Sequence, residues 1–405
     1  MPSGFIVAER IKIEGREATD EELERDLVPN TTEFALDEAT QAIAAEEQRR
    51  GHLGMSVIGG ECSRDLWLRF RWSLPDEPAA RNNRIFRLGH VIEDELATLI
   101  RRIPGVVLHT VHPKTGQQFR FAYHGDHFGG SMDGAGKGFA EAPKLWHVWE
   151  AKSVGGKETA DGDGARFKDL KKCRQVREWS PEYWVQAQCY MSASTMTRTI
   201  WTAYSKATSE IYVEIIEQEP QILDAMLAKA ERIITATAPP ESGYPNRNYY
   251  KIARWREPMT QRVYWGDQVP PEVNCRNCRS SRPVIDQPGA VWRCDRHSAD
   301  LDLAHQQNGC PDHQWIPALV PANVVTIHPR GTKYETYDGV EFWNVSKGDK
   351  GGAPNLFESQ EIEQFSRAGL HSQTIGDPVL AGLRANFGAT IDKVIPNASH
   401  IPERV

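Results

Sequence analysis

The sequence predicts an α/β protein, a mixed central β-sheet flanked by helices, with a small cysteine-rich metal-binding segment toward its C-terminal end. Three observations lead there. Segments of helical and of strand periodicity alternate between residues 55 and 240, the pattern of an α/β core. One strand-like run, Leu145-Trp146-His147-Val148-Trp149-Glu150-Ala151-Lys152, ends in a carboxylate and an amine two residues apart. Beyond residue 270, four of the chain's seven cysteines recur, at Cys275, Cys278, Cys294 and Cys310.

Composition sets the outer limits. A chain of 405 residues has room for one large domain and a smaller appended one. A hydrophobic content of 40% with 25% charged residues is that of a soluble globular protein. No run of about 18 apolar residues occurs, so no membrane span is expected. The opening Met-Pro-Ser-Gly-Phe-Ile-Val-Ala lacks a basic region followed by an apolar core, which points to the cytoplasm rather than to secretion. In such a compartment the cysteines read as metal ligands and core thiols, not disulfides. The net charge of −7 is unlike the basic footprint of most nucleic-acid binders. Basic residues nevertheless cluster locally: Arg64, Arg69, Arg71, Arg81, Arg84 and Arg87, then Arg166, Lys168, Lys171, Lys172, Arg174 and Arg177. Each group either meets phosphates or simply faces solvent.

Residues 1–54 read as a peripheral segment, with an acidic stretch at 20–26 and helical character at 36–50. Ser63 is placed to cap a helix running to Trp72. The clearest helix spans 87–103, where Leu88, Ile92, Leu96 and Ile100 recur every four residues. Strands are expected at 106–111, 118–123, 127–133 and 146–152, and the glycines of 134–138 read as a tight reversal after Asp133. The glycine- and lysine-rich residues 153–165 read as a mobile loop. A helix with proline in its first turn follows from 181 to about 194, then strands at 200–204 and 210–216. A last core helix, 220–237, is ended by Pro239 and Pro240. Proline, glycine and asparagine at 239–248 mark a boundary. The core is therefore assigned to 55–240, the cysteine-rich segment to 241–318, and a tail or small β-rich element to 319–405.

Side chains in a strand alternate faces, so Glu150 and Lys152 point the same way. Burying them beside tryptophan and valine is costly unless they pair or bind an ion, and a structural salt bridge is the competing explanation. With Asp133 upstream, two carboxylates and a lysine could hold Mg²⁺ and orient an attacking water. His90, Glu93 and Asp94 share one face of the 87–103 helix, either a solvated acidic face or a contact to metal and phosphate. Gln186 and Tyr190 stand four apart on the later helix. Cys275-x₂-Cys278, followed by Cys294 with His297 three residues on, is a zinc signal. Its ligands would be Cys275, Cys278, Cys294 and either Cys310 or His297.

Taken together, four stretches resemble the PD-(D/E)XK nuclease superfamily in its RecB-like and phage exonuclease branch. They are Gly89-His90-Val91-Ile92-Glu93, Gly130-Ser131-Met132-Asp133-Gly134, Glu150-Ala151-Lys152 and Gln186-Ala187-Gln188-Cys189-Tyr190. The opening Cys62-Ser63-Arg64-Asp65-Leu66-Trp67 is similar to the Cys-x-Arg entry of that branch, and the resemblance covers about 56–237. It implies a restriction-endonuclease-like core that hydrolyses DNA phosphodiesters with Mg²⁺ or Mn²⁺. Asp133 and Glu150 would bind the metal, the Ala151 carbonyl would complete its shell, and Lys152 would position or activate water. His90 and Glu93 match the family's helical histidine and acid, and Gln186 and Tyr190 its helix that contacts the DNA end. The expected function is a DNA exonuclease, phage-encoded, that resects ends for recombination. Its partners would be DNA and a single-strand annealing or other recombination protein. A structure-specific or single-strand endonuclease, or a non-catalytic nucleic-acid-binding or regulatory module, are the alternatives. The sequence departs from the branch in its cysteines. Many relatives hold a 4Fe–4S cluster with the early cysteine and three more just after the core, where residues 248–253 here have none. Structural zinc is the expectation, a cluster using Cys62 the alternative.

Overall fold

A computed structural model describes residues 12–13, 16–17, 32–46, 49–75, 80–155, 165–249, 258–350, 353, 355–378 and 382. Two compact units emerge, one formed by 1–49 with 77–91 and the other by 50–76 with 92–405. In the first unit the helix Thr32–Ala45 buries none of its residues, and Asn83 donates to Gln41 Oε1 at 3.1 Å. The acidic stretch expected at 20–26 lies outside the described residues.

The second unit is built on a mixed five-stranded sheet. Its strands are β1 (Val107–His109), β2 (Gly134–Lys137), β3 (Trp146–Val154), β4 (Arg198–Ser205) and β5 (Ile211–Glu217), in the spatial order β5-β4-β3-β2-β1. Only β3 and β4 run parallel, and their register sets Glu150 beside Trp201 and Lys152 beside Ala203. A parallel pair needs a crossover, and the helix Pro181–Ser194 supplies it. That helix has the expected bounds, with Pro181 in its first turn and Thr195 ending it in the left-handed region at φ 60°.

Alternation along β3 divides the core. Val148 and Glu150 face a cluster holding Trp67, Trp184, Tyr190 and Trp201. Trp149 and Ala151 face Ile92, Leu96 and Ile100 from the helix Ala80–Arg101, which begins seven residues before the expected start and leaves Leu88, the first of the fourfold series, exposed. The strands expected from sequence all form, with ends shifted by a few residues. β3 continues two residues beyond Lys152, while 156–164, the body of the expected loop, lie outside the described residues.

Two local expectations are corrected. The glycines after Asp133 do not make a reversal: Gly134 and Gly136 lie inside β2. A Cβ on Gly134 would stand 2.8 Å from the His109 carbonyl oxygen, and one on Gly136 2.6 Å from the Phe139 ring, so both glycines serve close packing. The reversal begins only at Gly138, at φ 96°. The first core helix, Ser63–Phe70, is capped by Cys62 and not by Ser63: the Cys62 sulfur accepts from the Asp65 N–H at 3.5 Å.

Beyond the core, Ser281–Pro283, Trp292–Cys294 and Ala299–Leu301 form a small antiparallel sheet. A four-stranded sheet then runs from Asn323–His328 to Leu356–Phe357, with its own cluster around Tyr334, Phe342 and Phe365. No helix among the described residues is long and apolar enough to cross a membrane.

Candidate active site

Asp133 occupies the single position between two strands of different sheets. The strand Phe128–Met132 belongs to a three-stranded sheet with Leu53–Gly54 and Phe119–Tyr123, and the next residue but one, Gly134, starts β2. The Asp133 carboxylate is fixed there because its Oδ2 accepts the Ala151 N–H at 2.8 Å. Ala151 thus takes part through its amide, and its two strand neighbours present the charged groups. Lys152 Nζ donates to Glu150 Oε2 at 2.9 Å, with Glu150 1% exposed.

The other oxygen, Glu150 Oε1, is buried and accepts no hydrogen bond, and the same holds for Gln186 Oε1. Two acceptors without donors in a protein interior each cost about 1–3 kcal/mol unless something outside the fold satisfies them. Gln186 and Tyr190 lie one helical turn apart, and burial, with the Glu150 charge nearby, raises the Tyr190 hydroxyl well above its ordinary value. A Cβ on Gly130 would come within 2.6 Å of that hydroxyl, so the glycine keeps the tyrosine in place.

Electrostatics follow from crowding acids around one amine. Burial, and then Asp133, push Glu150 up to about 8 against the opposing pull of Lys152. Burial and Asp133 likewise raise Glu93 to about 7. Burial alone would lower Lys152, but the Glu150 and Asp133 carboxylates outweigh it and hold the amine protonated. Glu93 therefore feels the charges of both Asp133 and Lys152. His90 lies one turn earlier on the same helix and is exposed.

Two residues the sequence reading passed over also shape the site. The Tyr183 ring centre lies 5.4 Å from Lys152 Nζ. Its spacing to Gln186 and Tyr190 places all three on one helix face, a signal that was available. Thr202 Oγ1 donates to the Glu150 carbonyl and accepts from Trp149 Nε1, each at 3.1 Å, and so pins the strand on both sides of the carboxylate. That link needs the β3–β4 register, which no local pattern reveals.

The first arginine cluster is mostly spent on structure. Arg71 is 2% exposed and donates to the carbonyls of Arg276, Ser281 and Ala236. Arg64 donates to the Pro240 carbonyl, and Arg69 pairs with Asp65. Among the described residues no group of three or more His, Cys, Asp or Glu side chains is gathered as a metal ion would require. Cys275, Cys278 and Cys294 are buried free thiols and Cys310 is partly buried. Burial pushes Cys275 up to about 12, and the other three thiols add to that. His297 Nε2 stands 3.9 Å from the Cys310 sulfur, whereas His313 is buried and bonds Asn277. The Cys62 sulfur meets the Tyr264 hydroxyl at 3.0 Å.

No protein-family model matches the chain, and curated proteins yield no significant match. Solved structures do. The crystal structure of SSO0001 is similar at a TM-score of 0.33 and 13% identity, covering 56% of this chain and 96% of that one. An alkaline exonuclease from Laribacter hongkongensis matches at 0.28 and 14% identity, over 48% of this chain and 90% of its own. The same exonuclease in complex with dAMP matches at 0.29 over the same shares. Likeness this faint leaves the functional reading to the geometry above.

Proposed function

We propose that the chain is a metal-dependent DNA nuclease, an exonuclease that hydrolyses phosphodiesters at DNA ends. The observation that supports it is the pair of buried acceptors, Glu150 Oε1 and Gln186 Oε1, left without donors beside a fixed aspartate and a charged lysine. A structural salt bridge has no use for an empty lone pair in its interior. Asp133 and Glu150 offer oxygen donors of the kind a hard divalent cation takes. Bound there, Mg²⁺ or Mn²⁺ would polarise the scissile phosphate and acidify the attacking water.

The chain's own residues divide the remaining work. The Ala151 amide fixes Asp133 in one orientation. Lys152, held protonated by its acidic neighbours, orients the water and offsets charge developing on the phosphate; it is not a base. Glu93, titrating near neutrality, is the group suited to take the proton released by that water. Gln186 and Tyr190 steady the side nearest the crossover helix. We extend the proposal to a structural Zn²⁺ held by Cys275, Cys278, Cys294 and either Cys310 or His297. Burial raises the Cys278 thiol, partly offset by the Gln314 and Ser280 N–H groups, so a bound cation would have to supply the charge that holds it as thiolate. Elemental analysis showing no zinc in the purified chain removes that extension.

The nuclease reading is tested by incubating the full chain with Mg²⁺ and either linear duplex or closed circular single-stranded DNA. Nucleotide release from the linear substrate, with the circle left intact, is expected. Cleavage of the circle replaces the exonuclease with an endonuclease. Tight DNA binding without hydrolysis under any divalent metal overturns the enzyme and favours a binding module.

A further inference from the structure

The second basic cluster is not spent on structure in the way the first is. The helix Ala165–Cys173 is anchored by Phe167 and Leu170, both buried, and turns its other side outward. Between residues 165 and 178 stand six basic residues against two acidic ones, Asp169 and Glu178, in a chain whose net charge is −7. Lys171 is paired with Glu210 and Arg177 with Glu219. Lys168, Lys172 and Arg174 are exposed and make no ion pair among the described residues.

Arg174 adds a separate sign. It ends the helix in the left-handed region at φ 54°, its N–H bonding the Leu170 carbonyl at 2.8 Å. Glycine is the usual residue at such a position, and any other costs about 1 kcal/mol.

One residue of the same helix, Arg166, links it toward the candidate site through a chain of ring contacts. The Arg166 guanidinium lies 4.8 Å from the Trp179 ring centre, Trp179 lies 6.1 Å from Tyr183, and Tyr183 lies 5.4 Å from Lys152 Nζ. Positive charge followed by a row of half-buried aromatic rings is the arrangement that holds a nucleic-acid strand, phosphates on the cations and bases against the rings. An acidic polypeptide would use the charges and leave the rings idle.

We propose that Lys168, Lys172 and Arg174 form a phosphate track that delivers the substrate strand along Trp179 and Tyr183 to Lys152. The inference rests on the nuclease reading of that site, but its test does not. Binding of a fluorescein-labelled DNA oligonucleotide is measured by anisotropy in Ca²⁺, across a range of salt, for the wild type and for the full chain carrying Lys168→Gln, Lys172→Gln and Arg174→Gln. All three side chains are exposed, so an unchanged melting temperature is expected. Lys172→Gln alone serves if the triple variant does not stay folded. The track predicts an affinity loss of about tenfold or more and a salt-dependence slope smaller by about 2 to 3. Unchanged affinity and slope overturn it, even where DNA is hydrolysed normally. Displacement of the DNA by polyglutamate at equal charge overturns it as well. Binding that depends on these residues, without hydrolysis under any metal, keeps the track and removes the nuclease reading.

Discussion

Two lysines in this protein are each surrounded by acids, and they end differently. Near the C-terminal sheet, Lys350 Nζ donates to Glu361 Oε1 at 3.0 Å and to Glu358 Oε1 at 3.2 Å. The second Glu361 oxygen accepts the Glu358 N–H at 2.9 Å in a capping box. Both oxygens of that buried carboxylate are used, and the cluster is closed. At Lys152 the pair forms just as tightly, yet Glu150 Oε1 is left over, in a residue 1% exposed. A structural ion pair satisfies itself, because an unmet buried lone pair lowers stability with no return. On the proposed reading, the incomplete pair is the one that keeps an acceptor for a cation.

Breaking each cluster separates the two uses. Glu150→Gln keeps the shape and removes the charge, so nuclease turnover is expected to fall by about 100-fold or more. Its melting temperature should hold or rise, since a buried acid with a raised pKa is gone. Lys350→Met is expected to do the reverse, lowering stability by about 3 kcal/mol in a urea titration while specific activity persists. Gly134→Ala sharpens the view that β2 packs too closely for side chains. Its Cβ would meet the His109 carbonyl, costing about 1–3 kcal/mol by overpacking. Turnover should fall with it, because Asp133 is the adjacent residue; a stable, fully active variant contradicts the packing role.

A smaller effect lies in pH. Glu150 and Glu93 rise on folding from an ordinary 4.5 to about 8 and about 7. The folded state therefore binds their protons more tightly, and this stabilisation is complete below 4.5 and lost as pH climbs through about 7 to 8. Metal-free protein should melt at progressively lower temperature over that window, and Mg²⁺ should recover more of the loss at the alkaline end than the acidic one. Scanning fluorimetry reads both trends, and Glu150→Gln should flatten them. An Mg²⁺ shift that is the same at every pH contradicts the assignment.

Much of this was legible because it is periodic. The fourfold spacing of Ile92, Leu96 and Ile100 reports a buried face, whereas Leu88 at its start is exposed and the strand from His147 to Ala151 is buried on both faces. Pro181 marked a helix start to the residue. Glycine was the weak letter: at 134 and 136 it records crowding by His109 and Phe139, distant partners that a local reading turns into a bend. Cys62 was weighed as a metal ligand and Ser63 as a cap, yet the thiol takes the capping bond because it sits one residue nearer the helix entry. The clamp from the Ala151 amide to Asp133, the Thr202 bridge and the Tyr183 ring over Lys152 all depend on strands and helices meeting across the sequence. Of these, only the Tyr183 position, on the face of Gln186 and Tyr190, leaves a trace in the sequence.

Side-by-side assays of Glu150→Gln and Lys350→Met on linear DNA with Mg²⁺, each beside its own melting curve, test the account most directly. Hydrolysis lost in the first with its fold intact, and retained in the second with its fold weakened, is the predicted result. A Glu150→Gln protein that still digests DNA at the wild-type rate contradicts it.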